Sequence, residues 1–432
     1  MSSQKRIQRL ARIAPALCFV LFAVVASGSA DQPPAPAAGE AWIGARIIDG
    51  TGRPAIEHAT LFIRNGRIEA VGAKVKLPRG VHKIDATGRT IIPGLINAHG
   101  HINDLSQLGI YLRDGITTVQ SLGGAKEVEL REQNAKAAPG TAPHLYIAGL
   151  IQDSTAIPGA VAVTTPQARH SVDELIRDKP NFVKVRIDDF RGARAKMPPE
   201  VYQAVIDEAH KNGFRTAAHI VYLDDAKGVL RAGVDYIAHS VRDQEVDQEF
   251  IDLMKKRDVS YCPTLTREVA VFTYSETPSF FSDPFFLKEA DPAEIARMSD
   301  PKHQEAVRSD PSAQWYKQHF PIAMHNLKAL SDAGINIAMG TDGGGGPGRF
   351  QGYFEHLELE YEVKAGLTPM QALVSATSGA AKALNVSKNA GTLEKGKWAD
   401  FVVLTANPLD DIRNTRKIES VWIGGLQVPS KR

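Results

Sequence analysis

Cysteine is almost missing from this chain. Its 432 residues hold two, Cys18 and Cys262. Cys18 falls in an N-terminal apolar stretch, so a chain cleaved after that stretch keeps one thiol and has no internal disulfide. Charge of one sign is also lacking. The formal net charge is +2, which offers no basic field for nucleic acid. Nor is there a long hydrophobic run. The apolar stretch "APALCFVLFAVVA" (14–26) is short of the roughly 20 residues that cross a bilayer. Apolar residues at 43% and charged residues at 23% are the balance of an ordinary globular protein. The length suits one large domain with an accessory, or two or three domains.

The first thirty residues have the layout of a secretory signal peptide. Lys5, Arg6, Arg9 and Arg12 precede the apolar stretch, and "SGSA" closes it at Ala30. An uncleaved anchor is the alternative. Cys18 sits inside the apolar run, which argues against a lipid-modified cysteine. Cleavage after Ala30 leaves 47 basic against 49 acidic residues. Residues 31–40, "DQPPAPAAGE", then read as a Pro/Ala-rich linker. These features predict a periplasmic or secreted protein with no stable membrane insertion after cleavage.

Both ends of the remaining chain read as short β-strands. Residues 41–92 contain "AWIGARIIDG" and "ATLFIRNGRIEAVG", the latter broken by the hairpin signal Asn65-Gly66. Residues 385–432 contain "GTLEKGKWADFVVLTANP" and "KIESVWIGGLQV". The two ends are expected to pack together as one small sheet domain. Residues 93–384 alternate apolar strands with helical patterns. Candidate strands cover 91–97, 115–122, 144–150, 181–187, 215–220, 235–240, 260–265 and 336–342. Helices fit at 198–213, with Pro at the start and Gly at the end, and at 368–384. Eight strands alternating with helices are the pattern of an α/β fold, a (β/α)₈ barrel. A doubly wound open sheet uses the same elements. Residues 267–314 interrupt the alternation and are rich in Phe, Pro and Asp. They read as a peripheral decoration or as a lid in which Phe280, Phe281, Phe285 or Phe286 shapes a pocket.

The polar residues favour the barrel. Histidine and aspartate are costly in a buried strand unless paired or ligated. Here His99 and His101 end the first strand, His219 the fifth, His239 the sixth and Asp342 the eighth. Strand C-termini are where such barrels build their sites. Positions i and i+2 of a strand point the same way, so His99 and His101 can grip one ion. Imidazole nitrogen and carboxylate oxygen are ligands of zinc and its neighbours. Lys184, between Val183 and Val185, faces the barrel interior if the valines pack outward. A buried ammonium tends to lose its proton, and a neutral amine can take up CO₂ to give a bridging carbamate. A salt bridge to Asp188, Asp189 or Asp342 is the other reading.

The motifs "PGLINAHGHI" (93–102), "VKVRI" (183–187), "AAHIVY" (217–222), "YIAHS" (236–240), "MGTDGG" (339–344) and "GTLEKGKWADFVVL" (391–404) resemble those of the amidohydrolase superfamily. The likeness is greatest to its imidazolonepropionase-like and prolidase-like branch. The resemblance spans nearly all of the chain after the leader. It implies a distorted (β/α)₈ barrel with a β-sandwich built from both chain ends. It implies that His99, His101 and Asp342 hold the more buried of two divalent ions, His219 and His239 the second, and that a carboxylated Lys184 bridges them. Zinc is the expected metal, with manganese or iron as alternatives. Asp342 is then the general base and acid for attack by a metal-activated water on a carbonyl. Mononuclear deaminases of the superfamily carry an acid three residues after the fifth-strand histidine. Tyr222 stands there, which argues against deamination. Tyr222 touches the substrate carbonyl or caps the following helix.

Other candidates are weaker. Arg186, Arg242 and Arg267 lie near strand ends and suit a substrate carboxylate, or structural ion pairs. The glycine-rich "GTDGGGGPG" (340–348) lacks the context of a phosphate cradle and reads as a mobile loop beside Asp342. His356 lines the pocket or starts a helix. The whole predicts an exported metal-dependent hydrolase of small-molecule amides, with dipeptides or N-acyl amino acids first. An esterase or lactonase, a cyclic-amide hydrolase, or a binding protein without catalysis are the alternatives. A homo-oligomer is compatible with all of them.

Overall fold

The computed structural model describes residues 38–153 and 160–430. The expected leader and most of the linker lie outside these residues. Among the described residues no helix is long and apolar enough to cross a membrane.

The first sheet takes strands from both chain ends. β1 (Glu40–Ile47), β2 (Ile56–Arg64), β3 (Arg67–Gly72), β4 (His82–Asp85) and β5 (Thr90–Pro93) come first. The barrel strands follow as β6 (Leu95–Gly100), β7 (Ile116–Ser121), β8 (His144–Gln152), β9 (Ala160–Val161), β10 (Phe182–Arg186), β11 (Arg215–His219), β12 (Tyr236–Ala238) and β13 (Ser260–Cys262). The chain closes with β14 (Phe401–Leu404), β15 (Ile418–Ile423) and β16 (Leu426–Gln427). The first sheet runs β16-β15-β14-β5-β1-β2-β3, with β4 beside β1. Period-two alternation gives it two apolar faces. Trp42, Leu61 and Phe401 pack on one, and Ala41, Phe62 and Val81 on the other, the layering of a β-sandwich.

The second sheet is the barrel. Its order is β6-β7-β8-β10-β11-β12-β13, with β9 beside β8, and every pairing is parallel. Outward residues such as Val183, Val185 and Ile237 form one large core with the surrounding helices. The α/β barrel architecture expected from the sequence is present, and it is distorted at its seam. Residues 336–343 occupy the eighth position without forming a regular strand. They join β13 and β6 through the isolated bridges Tyr261–Ile337 and Gly100–Gly343. Hydrogen bonds run on both sides, from Ala338 N to Tyr261 O (2.9 Å) and from Ala98 N to Met339 O (2.8 Å).

The strand expected over 91–97 divides at Gly94. Residues up to Pro93 pair in the first sheet, and residues from Leu95 pair in the barrel. A Cβ at Gly94 would collide with Thr117, so the handover between the sheets requires glycine. The interrupting segment folds as short helices, Pro284–Glu289, Pro292–Met298 and Pro301–Ser309, each capped by an Asp side chain. Phe286 packs in a core with Tyr274, Met298, Phe350 and Phe354. Phe280, Phe281 and Phe285 pack against that same core; Phe280 also lines a separate cavity of about 670 Å³, and none of the four phenylalanines lines the cavity that holds Asp342. The segment still leans on the loop after Asp342. Tyr274 donates its hydroxyl to Gly348 O, and Gly348 N donates to Glu294 Oε1 (2.6 Å).

Candidate active site

The barrel strands deliver their polar residues to one end. His99 lies in β6 and His101 just past it. Lys184 is the central residue of β10, His219 ends β11, and His239 follows β12. Asp342 follows the seam segment. The side chain of Asn97 accepts the His99 N–H (2.9 Å), which bends the strand end. His239 (φ 74°) and Asp342 (φ 56°) are both in the left-handed region. Strained backbone of this kind in non-glycine residues persists where the surroundings enforce it.

Two of the imidazoles, His101 and His219, have their ring nitrogens sorted by an acceptor-only neighbour. His101 Nδ1 lies 2.7 Å from Gly123 O, which can only accept. Nδ1 therefore donates and Nε2 turns to Asp342 Oδ1, 2.8 Å away. His99 Nε2 is 3.2 Å from the same oxygen and 3.2 Å from Lys184 Nζ. His219 Nε2 lies 3.1 Å from Asp188 Oδ2, so its Nδ1 keeps the lone pair. His239 Nδ1 lies 2.9 Å from Thr264 Oγ1. The ring centroid of His239 is 4.6 Å from that of His99 and 4.3 Å from that of His219.

Burial sets the protonation states. It drives His99 down to about 3, and holds His219 and His239 well below the usual imidazole range. All three are neutral near pH 7 and offer lone pairs. Burial also presses on Asp342, but Arg349 and the two histidines outweigh it, and the carboxyl stays ionised. Burial lowers Lys184 to about 8. Lys184 Nζ meets His99 Nε2, and among the described residues it forms no salt bridge with Asp188, Asp189 or Asp342.

These donors fit a divalent ion. Donor atoms of His99, His239 and Asp342 lie within 4.8 Å of one another. His101 Nε2 and Asp342 Oδ1 face each other although Nδ1 already carries a ring proton, an arrangement that needs a further proton or a cation between them. His99 Nδ1 is fully buried and has no hydrogen-bond partner among the described residues. Neutral imidazoles around an ionised carboxylate are the ligand chemistry of zinc-like ions.

The donors open on a cavity of about 320 Å³, lined by Arg186, Arg267, Arg349 and glycines of the 123–124 and 344–345 turns. A larger cavity of about 910 Å³, between the helices Glu127–Asn134 and Thr165–Leu175, touches this one through Gly124, Ala125 and Leu150 and holds none of the donors. Of the arginines expected here, Arg186 and Arg267 line the site cavity. Arg186 is 3.4 Å from Asp188 Oδ2 and Arg267 Nε 3.4 Å from Asp342 Oδ2. Arg242 does not reach it. It is fully buried, pairs with Glu268 (3.0 Å) and donates to Ser240 O. Tyr222 also turns away, because its hydroxyl donates to Asp189 Oδ1 (3.0 Å). His356 is held between Asp114 O (2.9 Å) and Thr415 Oγ1 (3.0 Å), away from the cavity. Arg349, from the glycine-rich loop, forms an ion pair with Asp342 and was not expected from the sequence.

Comparison with known proteins gives a consistent set of likenesses. A family model described as the amidohydrolase family matches residues 322–428. The chain is 24% identical to an ochratoxinase of Aspergillus niger, over 88% of this chain and 84% of that protein. It is 25% identical to an imidazolonepropionase of a Geobacillus species, over 81% of this chain and 84% of the relative. Its fold is similar to a solved structure of a candidate prolidase from Bifidobacterium longum, with a TM-score of 0.73 and 26% identity, covering 92% of this chain and 97% of that one.

Proposed function

We propose, because the chain belongs to the amidohydrolase superfamily and is a hydrolase of carbon–nitrogen bonds, that it cleaves the amide bond of dipeptides or N-acyl amino acids outside the cytoplasm. The observation that carries this reading is the convergence of His101, His219, His239, Lys184 and Asp342 on one small cavity, with His99 beside His239 and Asp342. His99, His101 and Asp342 would hold one divalent ion, zinc first. His219 and His239 would hold a second, with Lys184, as a carbamate, a ligand shared between the two. Ions bound there supply Lewis acidity at the scissile carbonyl and make a water nucleophilic near neutral pH.

The protein's own groups do the rest. Among the described residues Asp342 is the one carboxylate lining the cavity, so it takes the proton of the attacking water and returns it to the leaving amine. Arg186, Arg267 and Arg349 bind the carboxylate of the substrate, which favours acid-bearing amides over neutral ones. The cavity is at the small end of ligand sites, which suits a two-residue substrate. The basic, apolar and small-residue order of residues 1–30 supports export to the periplasm or medium.

The test is elemental analysis of the purified mature protein beside Lys184→Ala, followed by a screen of dipeptides and N-acyl amino acids. About two ions per chain, falling in the variant, with hydrolysis of an acid-bearing amide, is the expected result. No metal after growth with zinc or manganese would sink the reading. Metal without hydrolysis of any amide would move the activity to esters or lactones.

A further inference from the structure

Of the four glutamates on the helix Tyr353–Lys364, three, Glu355, Glu358 and Glu362, are fully buried. Spacings of three and four place them on one face of the helix. None of the three forms an ion pair among the described residues. A buried carboxylate without a cation is expensive, and apolar residues would fill the same space at less cost. Each of these instead takes hydrogen bonds from a segment that ends in the candidate metal site.

Glu355 serves the seam. Its Oε1 accepts from Asn97 Nδ2 (2.7 Å) and from Thr341 Oγ1 (2.6 Å). Asn97 in turn accepts the His99 N–H, and Thr341 directly precedes Asp342. One oxygen therefore ties β6 to the segment that has no regular ladder with it. Glu358 serves the other side. Its Oε1 accepts from Leu265 N (2.6 Å), and its Oε2 accepts from Thr266 N (2.7 Å) and Thr266 Oγ1 (2.6 Å). Those residues follow Thr264, which is left-handed (φ 49°) and touches His239 Nδ1. Glu362 accepts from Ser375 Oγ (2.5 Å), and Ser375 O accepts from Met339 N (3.0 Å) in the seam segment.

We infer that this helix is the brace of the metal centre, with Glu355 a positioning residue for His99 and Asp342, and Glu358 a positioning residue for His239. The inference rests on the two-ion reading above. Partners behind metal ligands set ligand orientation, and their loss costs about 10–100-fold in metal affinity. The two glutamates differ in a way that an isosteric amide exposes. Glu355 uses one oxygen, so glutamine can replace it. Glu358 uses both as acceptors, so a glutamine amide would meet a backbone N–H donor to donor.

The experiment is zinc retention against a competing chelator, with metals per chain and thermal unfolding, for the mature wild type, Glu355→Leu, Glu355→Gln, Glu358→Leu and Glu358→Gln. Both leucine variants should hold zinc about 10–100-fold more weakly while still unfolding cooperatively. Glu355→Gln should retain zinc like the wild type, and Glu358→Gln should not. Folded leucine variants that bind zinc as tightly as the wild type would overturn the inference. If the leucine variants fail to fold, the glutamine pair decides: equal retention by both overturns it, and unequal retention in the stated order upholds it. A wild type without metal would instead overturn the two-ion reading, which separates the two failures.

Discussion

His219 Nε2 lies 3.1 Å from Asp188 Oδ2, and this contact leaves the lone pair of the ring on Nδ1. Burial would raise Asp188, but His219, the Phe190 N–H and the Arg186 charge together outweigh it and keep the carboxyl ionised. Its other oxygen accepts from Phe190 N (2.8 Å). Both oxygens are acceptors, so an amide cannot serve both contacts. Asp188→Asn is expected to weaken divalent-ion binding about 10–100-fold with the fold intact, measured by chelator competition. Unchanged binding would show that His219 needs no orienting partner.

Arg349 reaches Asp342 from a loop that folds back through left-handed glycines at 344 and 348. If it also grips substrate, its removal will depend on the substrate's charge. Arg349→Ala should lower kcat/KM for a free-acid amide about 10–100-fold more than for the matching neutral amide, since a hydrogen bond to a charged group is worth about 1.5–3 kcal/mol. Equal losses on both substrates would confine Arg349 to holding Asp342.

Glu362 gives a pH signature of stability. Burial, then the nearby Glu358, raise its carboxyl well above the usual range, and one of its oxygens has no partner. The folded chain therefore keeps a proton that the unfolded chain releases once the pH passes 4.5. Stability from this group is complete below that value and is lost as pH rises toward the folded pKa, by about 1.4 kcal/mol per pH unit. Glu362→Gln should be nearly neutral at about pH 5 and more stable than wild type at about pH 8, read from denaturant midpoints. A parallel decline of both proteins would place an ionised carboxylate at this position.

The strand-end positions of the histidines were legible because buried polar residues stand out in apolar runs. His99 and His101 are two apart, and that period makes a shared direction readable without a structure. Lys184 was legible for the same reason, between two valines that pack outward. Arg349 was not. No period governs a glycine-rich loop, and only its folded path brings the guanidinium to Asp342. Tyr222 was open between the cavity and the start of the next helix; it stands at that helix start, and Asp189 draws its hydroxyl. The run 91–97 reads as one apolar strand, since nothing in residue type marks the change of sheet. The division at Gly94 follows from a collision with Thr117 that is non-local in sequence. The seam at 336–343 has strand-like composition but meets its neighbours out of regular register, a tertiary outcome that propensity does not encode.

β5 pairs with β1 on one side and with β14 on the other, so the first and last strands of the chain complete one sheet. A ribosome delivers β5 long before β14. Until Phe401–Leu404 emerges, the edge of β5 has no partner, and the strand that runs on through Gly94 into His99 is anchored on one side. Closure of this sheet is thus a late, post-synthetic event with long loops to close. The edge of β5 therefore stays open throughout synthesis, and the strand that carries His99 gains its second support only when the chain is nearly complete.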